Sequence, residues 1–452
     1  MTRTIRVGCG LGFYGDTFLP ALEMIKKGSV DYICFEHLAE LTLAILQKDR
    51  QRNPSEGYTK DLVPMLQACW REASAKGIRL ISNAGGLNPR GAAEAALAVA
   101  RELGIKARIA VVEGDAILDR LDEFLPFHHM ETGEPLPEQI RQRALFANVY
   151  LGAQPIVEAL KTGADLVITG RVADASLFLA PLAYEFGWPF NDLQLMAIGT
   201  VVGHLLECSS QVTGGNHGGR WEEIPDLDRI GFPIAEVSED GTVIITKTPD
   251  TGGRVSFDTV REQLLYEVHD PRAYITPDVV LDLSQVRLSE LGPDRVQVSG
   301  IVGHPPPERY KALLGYEDGY MGQAVIGYSW PEALKKAKAT EAILRRLVER
   351  MRLPVQEIRV EYLGYDSFHG ALADPAQAEH LNEVYLRFAV RTTDRWTAEQ
   401  ISRMMVPLAL GGPPTASGSI GFDRTRALIG IWPALVDRGP VDESIRVKVL
   451  EV

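Results

Sequence analysis

Residues 7–16 read VGCGLGFYGD; they close the apolar run TIRVGCG (4–10) and lead into TFLPALEMIKKG, a helical pattern. Gly10, Gly12 and Gly15 fit G-x-G-x-x-G, which between a strand and a helix is the spacing of a dinucleotide fingerprint. A strand that passes through a glycine turn into a helix is also the opening unit of an α/β fold.

The unit recurs. VDYICFE (30–36), IRLISNAG (78–85), ARIAVVEG (107–114) and ADLVITG (164–170) are short runs rich in Val and Ile. They are apolar on both faces, as strands covered by helices must be. Between them lie the helical patterns LAELTLAILQKD, YTKDLVPMLQACWREASAKG and PRGAAEAALAVARELG. Gly28, Gly77 and Gly104 follow helical patterns and are expected as left-handed C-caps. The alternation predicts an open, mostly parallel sheet with helices on both faces, Rossmann-like, over residues 1–220. A TIM-like barrel is the alternative, but about five units are visible rather than eight. Residues 127–139 read as a loop and 140–162 as a long helical region. From 221 to 452 the texture is mixed α+β: a hairpin around Asp240-Gly241, several strands, and a strong helix over about 329–351. This half is expected as a second, smaller domain.

The chain has 452 residues and a formal net charge of -13. That excess of acid argues against nucleic acid or an anionic membrane surface as a partner. A local cluster of Arg and backbone N–H groups still suits an anionic small molecule. Cys9, Cys34, Cys69 and Cys208 form no C-x-x-C pair and are expected as reduced thiols of a cytoplasmic protein. No signal-peptide pattern opens the chain, and no uncharged run is long enough for a membrane span. LQLMAIGTVVGHLLEC reads as a buried helix.

In a parallel sheet the strand ends share one edge, where ligands bind. The polar residues at those ends are therefore the candidate site. The first turn brings Gly12, Gly15 and Asp16, the second strand Glu36, the third Asn83 and Gly85. The fourth ends at Glu113, Gly114 and Asp115; the fifth delivers Arg171, Asp174 and Ser176. Asp16 and Asp174 are equally readable as helix caps. Arg171 can clamp a carboxylate or phosphate with two hydrogen bonds, or form an internal ion pair with Glu36 or Glu113. His204 and Glu207 share a helix face at i, i+3, as an acid–base pair, as half of a metal site, or as a buried histidine with its partner. Gly215 and His217 belong to a glycine-rich loop, TGGNHGGR, that suits an anion or a hinge. Asp366, Ser367 and His369 in LGYDSFHG, and the glycine-rich segment 408–421, are further candidates.

Several phrases occur together in one order: GCGLGFYGD, DYICFE, SNAGGLNP, TGADLVITGRVADASLFLAPL, GHLLECSSQVTGG and TGGRVSFDTVREQLLYEVHDPRAYITPDVVLDL. The chain resembles, on these phrases, the acyclic terpene utilization AtuA family from about residue 4 to at least 420. The resemblance implies a catabolic role near citronellol- and geraniol-type degradation through acyl-CoA intermediates, and it assigns no catalytic residue. Longer family members carry a further C-terminal domain, so the resemblance implies that its contribution is either absent here or supplied by a separate small companion subunit. The expected function is a lyase or hydratase acting on a branched carboxylic acid or its CoA thioester. Glu36, Asn83, Arg171, His204 and Glu207 are its candidate catalytic groups. Gly12, Gly15, Asp16, Gly85, Asp174, Ser176, Gly215 and His217 are candidates for binding the substrate. No metal site is assigned, although NAD(P) and a divalent metal stay open. Two alternatives stand beside it. One is an NAD(P)-dependent oxidoreductase, with Glu36 where a ribose carboxylate belongs, about 20 residues past the glycines. The other is a non-catalytic partner of an acyl-CoA carboxylase. A homo-oligomer is the default for an enzyme of this size.

Overall fold

The computed structural model describes residues 3–417 and 425–452. The chain divides into two compact units, Met1–Gly315 with Ile431–Val452, and Tyr316–Gly430. The boundary expected near 220 thus falls inside the first unit. The reason is strand pairing: residues just past 230 add to the first sheet.

The strands that matter are β1 (Thr4–Leu11), β2 (Tyr32–Phe35), β3 (Arg79–Ser82), β4 (Arg108–Glu113), β5 (Ala144–Val149), β6 (Leu166–Thr169), β7 (Pro233–Ser238) and β8 (Val243–Lys247). The large sheet has ten strands. From one edge to the other these are Arg287–Gly292, Arg295–Ser299, β8, β7, β1, β2, β3, β6, β4 and Arg446–Glu451. The five central strands β1, β2, β3, β6 and β4 are parallel, as their apolar composition predicts. The flanking pairs are antiparallel, so the sheet is mixed rather than mostly parallel. The hairpin around Asp240-Gly241 supplies β7 and β8. β7 pairs with β1 and buries both of its faces there, Ile234 on one and Ala235 with Val237 on the other.

Helices cover both faces. Ile33, Phe35, Leu80, Ile109, Val111, Leu166 and Ile168 point to one side, where they meet helices Leu19–Lys27, Leu62–Ala75 and Pro89–Leu103. Alternate residues of β2 point to the other side. There the Cys34 thiol donates to the Leu177 carbonyl and the Tyr32 hydroxyl to Glu185, both on helix Ser176–Phe186. LQLMAIGTVVGHLLEC forms the buried helix Leu193–Leu206, as its sequence reads. Among the described residues no helix is long and apolar enough to cross a membrane.

Two local expectations are corrected. Residues 140–162 are not one helix. They hold β5 between short helices, because LFANVY is rich in aromatic and β-branched residues, and β5 pairs with the strand Arg309–Ser329. Gly104 and Gly77 adopt positive φ after their helices, but Gly28 has φ -74 and remains helical.

In the second unit, strands Glu357–Leu363 and Glu383–Thr392 pair antiparallel with each other, and the latter also pairs with residues 320–329. Helix Ala333–Arg350 packs its Leu334, Ala337 and Leu344 on this sheet. Asp366 closes a turn by accepting from the Tyr362 N–H at 2.7 Å. Ser367 and His369 lie in the same turn segment. Residues 418–421 of the glycine-rich candidate lie outside the described residues.

Candidate active site

The parallel strands end level with one another: Leu11 faces Phe35, Phe35 faces Ser82, and Val112 faces Thr169. Beyond that edge lies a cavity of about 1150 Å³ within the first unit. Its volume suits a small-molecule ligand. Of the residues predicted from sequence, Gly12, Asp16, Glu36, Arg171, Asp174 and Gly215 line it.

Arg171 is the hub. Its side chain is 3% exposed. Nη1 donates to the Leu38 carbonyl at 2.5 Å and to Asp174 Oδ1 at 2.7 Å, and lies 3.8 Å from Glu36 Oε1. The guanidinium stacks on Tyr150, 4.0 Å from the ring centroid, a cation–π contact that fixes its plane. Its Nε has no partner among the described residues. Of the two ion-pair partners expected from sequence, Glu36 is present, whereas Glu113 pairs instead with Lys448 at 2.5 Å; Asp174 is a further partner that was not expected.

Glu36 is held on three sides. Oε1 accepts from the Leu38 N–H at 2.6 Å and Oε2 from Asn83 Nδ2 at 2.5 Å. Asn83 in turn accepts from the His37 N–H at 2.7 Å. Asn83 thus orients Glu36 from behind the wall and does not itself line the cavity. Burial, and then Asp174, push the Glu36 carboxyl well up; Arg171 and Asn83 offset this only in part. Asp174, with 35% of its side chain exposed, is the more open member of the pair. Burial raises its carboxyl too, against the pull of Arg171. Two carboxylates sharing one guanidinium titrate as a unit, and burial raises both. Asp174 caps no helix; its carboxylate is committed to Arg171.

The first turn is closed by two carboxylates, one its own and one from a distant segment. Asp16 accepts from the Gly12 N–H at 3.0 Å and the Thr17 N–H at 2.7 Å; Asp61 accepts from the Gly15 N–H at 2.8 Å. The helix begins only at Leu19, with Phe18 as its N-cap residue, so Asp16 does not cap it. Gly12 is glycine because a Cβ there would lie 2.8 Å from Ser209 Oγ.

The remaining candidates lie off the cavity wall. His204 and Glu207 do meet, Nδ1 to Oε1 at 3.3 Å, while His204 Nε2 reaches the Leu264 carbonyl at 3.3 Å. Both are buried behind Tyr274, whose ring sits 4.9 Å from the imidazole and which does line the cavity. Burial raises the Glu207 carboxyl. Among the described residues no three His, Cys, Asp or Glu side chains converge as a metal-binding group. Ser176 donates to Asp278 at 2.6 Å, and His217 pairs with Glu262. Gly85 packs against the Thr169 carbonyl, where a Cβ would collide.

Three lining residues had no signal as a group in the sequence: Glu40, Tyr150 and Lys311. The Tyr150 hydroxyl donates to Glu40 Oε1 at 2.7 Å, and Lys311 Nζ donates to the same oxygen at 2.9 Å. Burial would raise the Glu40 carboxyl, but Lys311 and Tyr150 outweigh it and hold it at about 2. Tyr150 follows β5, the strand that read as helix; a strand there would have marked its end as a sixth wall of the site.

The family model of the acyclic terpene utilisation family protein AtuA matches residues 5–447, and the chain belongs to that family. No curated protein and no solved structure matches the chain.

Proposed function

We propose that this member of the acyclic terpene utilisation family is an enzyme that adds water to, or removes it from, a branched carboxylic acid or its CoA thioester. The observation that carries the reading is the Glu36–Arg171–Asp174 cluster at the cavity wall. In a hydration the ionised member of the pair takes a proton from water as the water oxygen bonds to the β-carbon. The protonated member delivers its proton to the α-carbon. Water is added across the double bond, and the pair ends with the same number of protons. Dehydration runs the same steps backwards. Of two neighbouring carboxyls that burial raises, one can hold the proton that the other lacks, which suits the pair to both roles.

The oxidoreductase alternative loses support at the first turn. A pyrophosphate needs the N–H groups of that turn, and here Asp16 and Asp61 occupy them. Glu36, the would-be ribose ligand, is turned to Asn83 and Leu38.

The test is turnover of a panel of branched unsaturated acids, their hydroxy acids and their CoA thioesters, followed by mass change of one water. Glu36→Gln and Asp174→Asn should each lower kcat by at least about a hundredfold. Unchanged kcat in both variants would exclude this acid–base assignment.

A further inference from the structure

We infer that the anionic group of the substrate is met by Lys311 and Arg309 along one strand of the cavity, while Arg171 is a positioning residue for the carboxylate pair. This rests on the proposed anionic substrate and names where it is held.

Arg171 is poorly placed as the clamp. Its side chain is 3% exposed, its Nη1 is committed to Leu38 and Asp174, and Tyr150 covers its plane. Lys311 is open by comparison, with 37% of its side chain exposed. Its Nζ is kept on the cavity side by the Tyr150 ring, 4.5 Å from the centroid, and by a single carboxylate, Glu40. Arg309 lies two residues earlier in the same strand and so shares the face of Lys311. It is exposed, lines the cavity, and has no hydrogen bond or ion pair among the described residues. The edge therefore offers one free cation and one held by a counter-ion that an incoming anion can replace. Glu40 keeps its bond from Tyr150 when it yields Lys311, which lowers the cost of the exchange.

This arrangement predicts opposite signs for neighbouring substitutions. Binding is read by calorimetry with three probes: 3-methylbut-2-enoate, its neutral primary amide, and coenzyme A. Lys311→Met should weaken anion binding at least about tenfold, and Arg309→Met should weaken it severalfold. Glu40→Gln removes the competing charge and should tighten binding severalfold. A purely structural role for Glu40 would move it the other way. Binding of the acid but not the amide, lost in Lys311→Met, supports the inference with a carboxylate as the anion. Binding of coenzyme A, lost in Lys311→Met and Arg309→Met, supports it with a phosphate as the anion. Anion binding unchanged in both cation variants overturns it, as does weaker binding in Glu40→Gln or no binding of either anion to the native chain. Turnover that depends on Glu36 and Asp174 while binding ignores Lys311 and Arg309 sinks this inference alone. The converse result sinks the acid–base reading alone.

Discussion

Asp115 supports the turn that carries Arg171, and its ionisation should be visible in the stability of the whole unit. The residue is 3% exposed. Its Oδ2 accepts from Asn148 Nδ2 at 2.7 Å and from the Arg171 N–H at 2.8 Å. Burial nevertheless dominates and pushes the carboxyl from 3.8 up to about 6. A carboxyl whose folded pKa exceeds its unfolded value binds its proton more tightly in the native state. Its stabilising contribution is complete below pH 3.8 and is lost as the pH rises through about 6. At roughly 1.36 kcal/mol per pH unit, the gap between the two values amounts to about 3 kcal/mol. Asp115→Asn cannot ionise, yet its amide oxygen can still accept from the Arg171 N–H. The variant should therefore gain about 3 kcal/mol on the native protein between about pH 4 and pH 7. Urea unfolding at several pH values, taken as the difference between the two proteins, cancels the titration of every other group. A difference that stays flat within about 1 kcal/mol, or that slopes the other way, would refute the reasoning.

Two further substitutions probe the frame of the site. Trp70 is 1% exposed in the core beneath the parallel strands, so Trp70→Ala should cost about 3–5 kcal/mol in the same unfolding experiment. A Cβ at Gly170 would collide with the Asp115 carboxylate. Gly170→Ala should therefore cost about 1–3 kcal/mol and displace the Arg171 turn, read as a fall in kcat beyond any loss of folded protein.

The central fold was legible because its signals are local and redundant. A buried parallel strand must be apolar on both faces, and TIRVGCG, VDYICFE and ADLVITG say so without reference to anything distant. The antiparallel flanks were harder. Val243–Lys247 and Arg295–Ser299 are recognisable as strands, but nothing in their composition tells which sheet they join. That choice is made by β1, whose free edge takes β7 across more than two hundred residues of chain. The site divides the same way. Glu36, Arg171 and Asp174 stand at the ends of recognisable strands, so a rule about strand ends finds them. Lys311 and Tyr150 reach the cavity through the pairing of β5 with Arg309–Ser329, a contact that neither segment announces.

The glycine motif shows how much chemistry spacing alone leaves open. In VGCGLGFYGD the glycines answer local steric demands: Gly12 makes room for Ser209, and Gly15 takes φ +94 in the turn. A phosphate turn has the same demands, which is why the two look alike in sequence. They differ in what satisfies the N–H groups. A turn meant for phosphate leaves them free and starts its helix at once. Here Asp16, inside the motif, and Asp61, far outside it, accept those hydrogen bonds, and the helix waits until Leu19. The carboxylate within the motif was readable as a competitor for phosphate, whereas the one from Asp61 was not, since no local pattern ties residue 61 to residue 15. Removing both should therefore be the decisive perturbation: if Asp16→Asn with Asp61→Asn frees two N–H groups, inorganic phosphate should bind the variant, by calorimetry, more tightly than the native chain. Equal affinity would mean that the turn geometry, and not the occupancy of its N–H groups, keeps anions away from this wall and directs them to the Lys311 edge.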